Sequence, residues 1–255
     1  MAIQQNQFFN NLPQLKKQLR KIEEEHLTYQ PFEEYGRYRF PREEIKKYSL
    51  VYGIGVSKDV DMEIAMATDN PNLKFHCFDG SPESKEWWEK ESWPFKPQMQ
   101  FHNVSYAMDN GTMPFYFNPV PELESVIGYG GRPHGREYSL KPHFINSLDP
   151  LYEDDKQQHI NVKTQNLRSM IRQYGLPDLV KADTWGVWYD TCREILDHNI
   201  PIKCFHVRAH LLCPTPEEKM FDIIEVISDF KQKGYKAYLP NKRENFGCDM
   251  FFLKK

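Results

Sequence analysis

Glycine is scarce in this chain: 13 residues in 255, against 18 prolines. Few places remain where the backbone can approach a ligand closely, so the few glycine clusters are the first places to look for a site. Long apolar runs are missing too; none nears the ~18–20 residues that a membrane helix needs. There is no excess of positive charge. Lys plus Arg total 33 and Asp plus Glu total 36, a net charge of −3, which argues against charge-driven nucleic-acid binding. The five cysteines (Cys77, Cys192, Cys204, Cys213 and Cys248) are odd in number and scattered. That suits a reducing compartment such as the cytoplasm better than a disulfide framework. The first residues, MAIQQNQFFNNLPQLKK, lack the basic, apolar, small order of a secretion signal. A phosphate-loop signature, GxxxxGK followed by Ser or Thr, is also missing, so nucleoside triphosphate hydrolysis is not expected.

What is there suits a folded domain: 40% hydrophobic and 27% charged residues. Residues 11–27 place Leu12, Leu15, Leu19, Ile22 and Leu27 near the helical period. Residues 28–47 are aromatic and charged and read as a lid or docking arm. The sequence thus divides into a helix and arm over 1–47 and a main domain over 48–255. From residue 48 the pattern becomes strand, helix, strand, helix: YSLVYGIGVS, DVDMEIAMAT, LKFHCFDG, then SPESKEWWEK with Ser81 as N-cap and Pro82 at the first helical position. This alternation predicts a parallel α/β sheet. QFHNVSYA and MPFYF follow, joined by the turn signal Asp109-Asn110-Gly111. Residues 118–160 form a long irregular insertion with four glycines between Gly128 and Gly135. The alternation then resumes. TQNLRSMIRQYG is a helix, DLVKAD a strand, VWYDTCREILDH a helix in which Trp188 packs, and IKCFHVRA a strand. A helix capped at Thr215-Pro216-Glu217-Glu218 precedes YKAYLP and CDMFFLKK, which read as a hairpin.

Three candidate site segments sit at strand ends. Gly53, Gly55, Ser57 and Asp59 join a strand to a helix through small residues, a geometry open to a carboxylate or phosphate. Asp79, Gly80 and Ser81 end the next strand, with Asp79 24 residues after Gly55; an acid about 20 residues on holds a ribose diol in nucleotide-type folds. Asp183, with Trp185, ends a later strand on the same edge. Ligands of open α/β sheets bind outside those carboxyl ends. Cys204, His206, His210 and Cys213 are zinc-ligand types, but at the spacing of no common finger. His206 alone is a candidate base or substrate contact, with a core role as the alternative. Arg132, His134 and Arg136, in the glycine-rich insertion, are candidates for an anionic or polyhydroxyl substrate. Trp87, Trp88 and Trp93 pack a helix or form an interface.

Taken in order, these segments resemble the FkbM-type methyltransferase family. VYGIGVSKDVDMEIAM is similar to its first motif, "vYsfGig-Disfe", and FDGSPES to "FDPtp". FHNVSYAMDNGTMPFYF is similar to "nvglsdkdGtlpfy", and LPDLVKADTWGVWYDTCREIL to "dllKiDvEGaEyevl". FHVRAH stands in the place of "iEfHh", and ISDFKQKGYKAY resembles "lkklGYk". The resemblance covers about residues 48–254. It implies a class I methyltransferase fold: a Rossmann-like, mostly parallel seven-stranded sheet with a C-terminal antiparallel hairpin strand. It also implies S-adenosyl-L-methionine as cofactor and O-methylation of a small-molecule or carbohydrate hydroxyl. Gly53 to Ser57 would then face the methionine end, Asp79 the ribose, and Ser105 and Tyr106 the adenine. Asp183 would meet the methionine amino group or the acceptor. The sulfonium is a cation, so carboxylates and aromatic faces near it are favourable. Methyl transfer is an in-line displacement in which positioning supplies most of the catalysis and a base only deprotonates a weak nucleophile. Three positions depart from the family: Trp185 replaces its Glu, Ser57 takes a glycine position, and the proline of "FDP" is displaced to Pro82. The Glu replacement and the aromatic arm motivate a second expectation, a catalytically silent binding protein on the same fold.

Overall fold

The structure, a computed structural model of the chain, describes residues 32–117, 138–139, 158–184, 186–210, 216–239 and 247–254. The helix expected over 11–27 and most of the insertion lie outside them. A hairpin, β1 (Phe32–Tyr35) and β2 (Tyr38–Pro41), leads into the short helix α1 (Arg42–Ile45). Then come β3 (Leu50–Ile54), α2 (Asp61–Asp69), β4 (Lys74–Phe78), α3 (Pro82–Lys90) and β5 (Met99–His102). Strands β6 (Ser105–Tyr106), β7 (Gly111–Phe117), β8 (Tyr138–Ser139) and β9 (Gln158–Gln165) follow. The chain ends in α4 (Leu167–Tyr174), β10 (Leu179–Ala182), α5 (Trp188–Asp197), β11 (Cys204–His210), α6 (Pro216–Gln232), β12 (Tyr235–Tyr238) and β13 (Gly247–Lys254).

Seven strands form one sheet in the order β12-β13-β11-β10-β3-β4-β5. The β4–β5, β3–β4, β10–β3 and β10–β11 pairs are parallel, and only β13 runs against its neighbours. This is the Rossmann-like sheet with a reversed hairpin strand near one edge that the family resemblance implies. The chain moves outward from β3 to β5, then returns to β10 on the other side of β3. That reversal opens a crevice outside the carboxyl ends of β3 and β10.

Both faces of the sheet are covered, so its strands read as nearly continuous apolar runs. On one face Val51, Phe75, Leu179, Cys204 and Phe251 pack against the hairpin residues Tyr35, Tyr38 and Phe40, against Ile45, and against Met62 and Met66 of α2. On the other, Tyr52, Val180, Phe205 and Phe252 pack against Leu167, Met170, Trp188, Ile195, Ile223 and Phe230 of α4, α5 and α6. The arm read from residues 28–47 is therefore, from residue 32 on, part of the wall of the core.

The caps follow the sequence. Ser81 has extended backbone and its hydroxyl accepts from Ser84 N at 3.3 Å. Asn166 does the same for α4, accepting from Ser169 N at 2.9 Å. Residues 158–165 depart from expectation. They form β9, which pairs antiparallel with β7 along its whole length in a second sheet ordered β6-β9-β7-β8. Thr164 and Gln165, read as the start of a helix, belong to this strand. QHINVKTQ is polar and buries only Val162 and Thr164, so its alternation carries little apolar signal. Trp87, Trp88 and Trp93 form a half-buried cluster at the β5 edge, with Trp87 stacked on Trp93 at 4.8 Å and Trp88 on Phe101 at 5.0 Å.

Candidate functional site

The β3–α2 loop is built on close approach. Gly55 has φ +74°, and a Cβ there would collide with the Asp183 carbonyl oxygen. Only glycine lets the end of β3 close onto the end of β10. Ser57 also stands in the left-handed region, at φ +51°. Its N–H donates to Asp79 Oδ2 at 2.9 Å. Asp79 Oδ1 accepts from Ser81 N at 2.9 Å and from the Ser81 hydroxyl at 2.6 Å. Asp79 thus binds the loop to the cap of α3, and three of the roughly four lone-pair sites of its carboxylate are occupied. A Cβ on Gly80 would collide with the Ser105 hydroxyl, so Ser105 closes the floor beside Asp79.

Four amide groups around the loop are bonded within the chain. The N–H groups of Gly55, Asp59 and Asp61 donate to Phe78 O, Val56 O and Asp59 Oδ1, and that of Ser57 to Asp79. The first turn of α2 carries Asp61 and Glu63, just after Asp59. A phosphate would meet three carboxylates there.

Asp183 lies on the far side of the loop, its side chain 5% exposed. It accepts from the Tyr38 hydroxyl at 2.6 Å and from Arg37 Nη2 at 3.2 Å. Arg37 Nε donates to the Tyr38 hydroxyl at 3.0 Å and lies 3.8 Å from Asp59 Oδ2. The hairpin tip that presents these two residues rests on α2, where Gly36 comes against Met62 N. Beneath them Lys181, 2% exposed, donates to Gly55 O at 3.3 Å and lies 4.8 Å from the Tyr38 ring centre. Burial lowers the pKa of Lys181, opposed by Asp183 and Glu63. Glu63 fills the space in front of Gly53: a Cβ there would stand 2.6 Å from Glu63 Oε1. That oxygen has no hydrogen-bond partner, and burial pushes the Glu63 carboxyl up to about 7.

The structure brings Gly53, Gly55, Ser57, Asp59, Asp79, Gly80, Ser81, Ser105 and Asp183 to one edge of the sheet. Tyr106 does not join them. It is buried in the opposite core, its hydroxyl donating to Glu194 at 2.9 Å. Glu194 is itself buried, accepting from the N–H groups of Leu167 and Arg168 at the start of α4. His206 does not join them either. It is fully buried under the hairpin, with Tyr38 and Phe40 each at 5.2 Å between ring centres. Neither ring nitrogen has a hydrogen-bond partner, and burial lowers its pKa to about 4. The carboxylate of Asp249, itself buried, lies 3.7 Å from its Nε2. Arg132, His134, Arg136 and Trp185 lie outside the described residues, as do Cys213 and the His210 side chain. Cys204 is buried and accepts from the Tyr48 hydroxyl at 2.6 Å. Among the described residues no group of three His, Cys, Asp or Glu is placed to hold a metal ion.

Arg37, Tyr38 and Glu63 were not candidates from sequence. The hairpin signal was present: FEEY and YRFP, alternating aromatic and polar, flank Gly36-Arg37. Nothing local says that its tip reaches Asp183.

No family model and none of the curated proteins matches this chain. Among solved structures, it is similar to precorrin-6y C5,15-methyltransferase from Geobacter metallireducens GS-15, at 9% identity and a TM-score of 0.40 over 91% of this chain and 96% of that one. It is also similar to an O-methyltransferase family protein from Burkholderia thailandensis, at 8% identity and a TM-score of 0.41. That alignment takes in 83% of this chain and 52% of the other, so the chain spans about half that protein's length. The Methanococcus jannaschii fibrillarin pre-rRNA processing protein aligns at 8% identity and a TM-score of 0.43, over 89% of this chain and 83% of that one. Similarity at this level carries no argument about function, and the fold assignment rests on the strand order itself.

Proposed function

We propose that this protein is an S-adenosyl-L-methionine-dependent methyltransferase that methylates a hydroxyl of a small molecule or carbohydrate. One observation carries the reading. The crevice at the β3–β10 reversal is walled by carboxylates, while four of the loop's amides are already bonded within the chain. That balance suits a cationic, phosphate-free nucleoside better than a dinucleotide. S-adenosyl-L-methionine is such a molecule, with a sulfonium and an ammonium in place of phosphates. Asp79, at the end of the second strand, has a remaining acceptor site for a ribose hydroxyl. The loop from Gly53 to Ser57 and Asp183 would hold the methionine end, and Ser105 would border the adenine. The sheet order and the ordered motifs of the sequence support the same reading.

In this reading the cofactor supplies an electrophilic methyl group, and the chain holds it in line with the acceptor oxygen. Trp185, His134 and Arg136 remain the proposed acceptor contacts. No helix among the described residues is long and apolar enough to cross a membrane. Cys77, Cys192 and Cys204 are buried free thiols, as suits a reducing compartment such as the cytoplasm. The test is calorimetry with S-adenosyl-L-methionine and S-adenosylhomocysteine: micromolar binding is expected, and absence of binding to both ends the proposal. A second reading, binding without turnover, is favoured by the engagement of Asp183 with Tyr38 and Arg37 and by the burial of His206. Release of S-adenosylhomocysteine with any acceptor would eliminate it.

A further inference from the structure

We infer that Glu63 makes this site tell a cationic nucleoside from its neutral counterpart: its carboxyl group, buried against the underside of the Gly53–Ser57 loop, gives a proton to solvent when a positive charge settles above the loop. The inference rests on the proposed cofactor and assigns to Glu63 the distinction between the sulfonium and the product left when its methyl group is gone.

Glu63 lies in the first turn of α2, yet it turns away from water and is 1% exposed. The missing side chain of Gly53 makes its room. A Cβ there would meet Glu63 Oε1 first and the Val56 side chain next, so the carboxyl lies directly against the loop. Oε1 accepts no hydrogen bond among the described residues. A residue that only filled this space would need no charge, and a buried carboxylate oxygen left without a donor is unfavourable. A positive charge on the other side of the loop supplies what the oxygen lacks.

Four groups face this carboxyl: Lys181 from β10, Cys77 from β4, Asp59 from the loop and Arg37 from the hairpin tip. Lys181 is the cation among them that acts on it most strongly, but Lys181 also answers to Asp183 and is bonded to Gly55 O. Burial and Glu63 both push the Cys77 thiol up, so it keeps its proton throughout. Burial outweighs Lys181, Arg37 and Glu63's own backbone N–H, and Asp59 reinforces it, so the Glu63 carboxyl holds its proton up to about 7. Near neutral pH it therefore stands between its two forms. A unit charge within ~10 Å, at an effective dielectric of ~20, favours the ionised form about tenfold. Loss of the methyl group removes that charge, and the carboxyl takes its proton back from solvent.

The experiment is calorimetry on the full chain at pH 6.5, in two buffers of different ionisation enthalpy, with S-adenosyl-L-methionine and S-adenosylhomocysteine. Both ligands carry the same amine, which is mostly charged at that pH, so the difference between them reports the sulfonium. The wild type is expected to release about half a proton more with S-adenosyl-L-methionine. Its affinity for that ligand relative to S-adenosylhomocysteine is expected to rise roughly five- to tenfold from pH 5.5 to 8. Glu63→Gln, which keeps the shape and loses the proton, is expected to abolish both effects and still bind S-adenosylhomocysteine within about threefold of wild type. Glu63→Asp, which keeps a carboxyl, is expected to retain the proton release in part. Matching thermal midpoints establish that the variants are folded. Equal proton release with the two ligands in wild type overturns the assignment of Glu63 and needs no variant. So does undiminished release in Glu63→Gln, which would pass the role to Lys181. Either result leaves the cofactor reading intact, and a wild type that binds neither ligand overturns both.

Discussion

The Tyr38 hydroxyl donates to the Asp183 carboxylate at 2.6 Å across 145 residues of chain. This contact ties the hairpin that begins the described chain to the strand end where the crevice opens. It makes the hairpin part of the site and sets the orientation of the carboxylate most central to the proposed function.

Tyr38→Phe removes that donor and leaves a buried charged acceptor with a weaker set of partners. Unfolding in urea should show a loss of about 1.5–3 kcal/mol, the range for a hydrogen bond to a charged group. An unchanged midpoint would mean that the other partners of Asp183 suffice to hold it.

Gly55→Ala places a Cβ against the Asp183 carbonyl and forces an L-residue to φ +74°. Left-handed backbone alone costs about 1–2 kcal/mol, and the backbone collision adds to it. A loss of about 2 kcal/mol or more is expected, together with weakened binding of S-adenosylhomocysteine. A variant as stable as wild type would contradict the close approach of β3 and β10.

Glu63 sets a pH dependence. Burial raises its pKa from 4.5 to about 7, opposed by Lys181 and Arg37 and reinforced by Asp59. A carboxyl with a raised folded-state pKa is destabilising when ionised. Its penalty is absent below pH ~4.5, grows as pH rises, and is complete above about 7. At 1.36 kcal/mol per pKa unit it reaches roughly 3 kcal/mol. Glu63→Gln should therefore gain stability relative to wild type as pH rises from 5 to 8. Denaturation curves at both values check this, and a difference that does not change with pH would refute it.

His206 is expected to be dispensable for binding. Its folded-state pKa, lowered by burial to about 4 from 6.5, means that it costs stability as pH falls through that window and nothing above it. His206→Phe should bind S-adenosylhomocysteine as wild type does and unfold no more readily at pH 7. At pH 5 it should be about 1–2 kcal/mol more stable than wild type, by the same linkage. Loss of binding in a folded variant would return His206 to the site.

The sheet was legible because its signals are local. YSLVYGIG, LKFHCF, DLVKA and IKCFHV are short apolar runs between turn residues, and Ser81 and the stop at Gly175 obey capping and backbone rules that act within one helical turn. Sequence reading also placed Gly55, Asp79 and Asp183 at strand ends. The β7–β9 pairing was not legible, since Gln158 to Gln165 alternates weakly and its partner lies across the insertion. The direction of Tyr106 was hidden as well: a side chain beside the crevice in sequence faces the other core, where Glu194 accepts its hydroxyl.

The scarcity of glycine determined in advance where the backbone can close upon itself, and Gly53, Gly55 and Gly80 stand at those places. Composition, strand periodicity and caps depend on neighbours a few residues away, so they determined the elements and their order. What fills the space beside each glycine was decided only by the tertiary structure: Glu63 at Gly53, the Asp183 carbonyl at Gly55, the Ser105 hydroxyl at Gly80. The same holds for Arg37 and Tyr38 over Asp183. Those contacts depend on which strands become neighbours when the chain reverses at β3, and strand order is a property of the whole packed sheet.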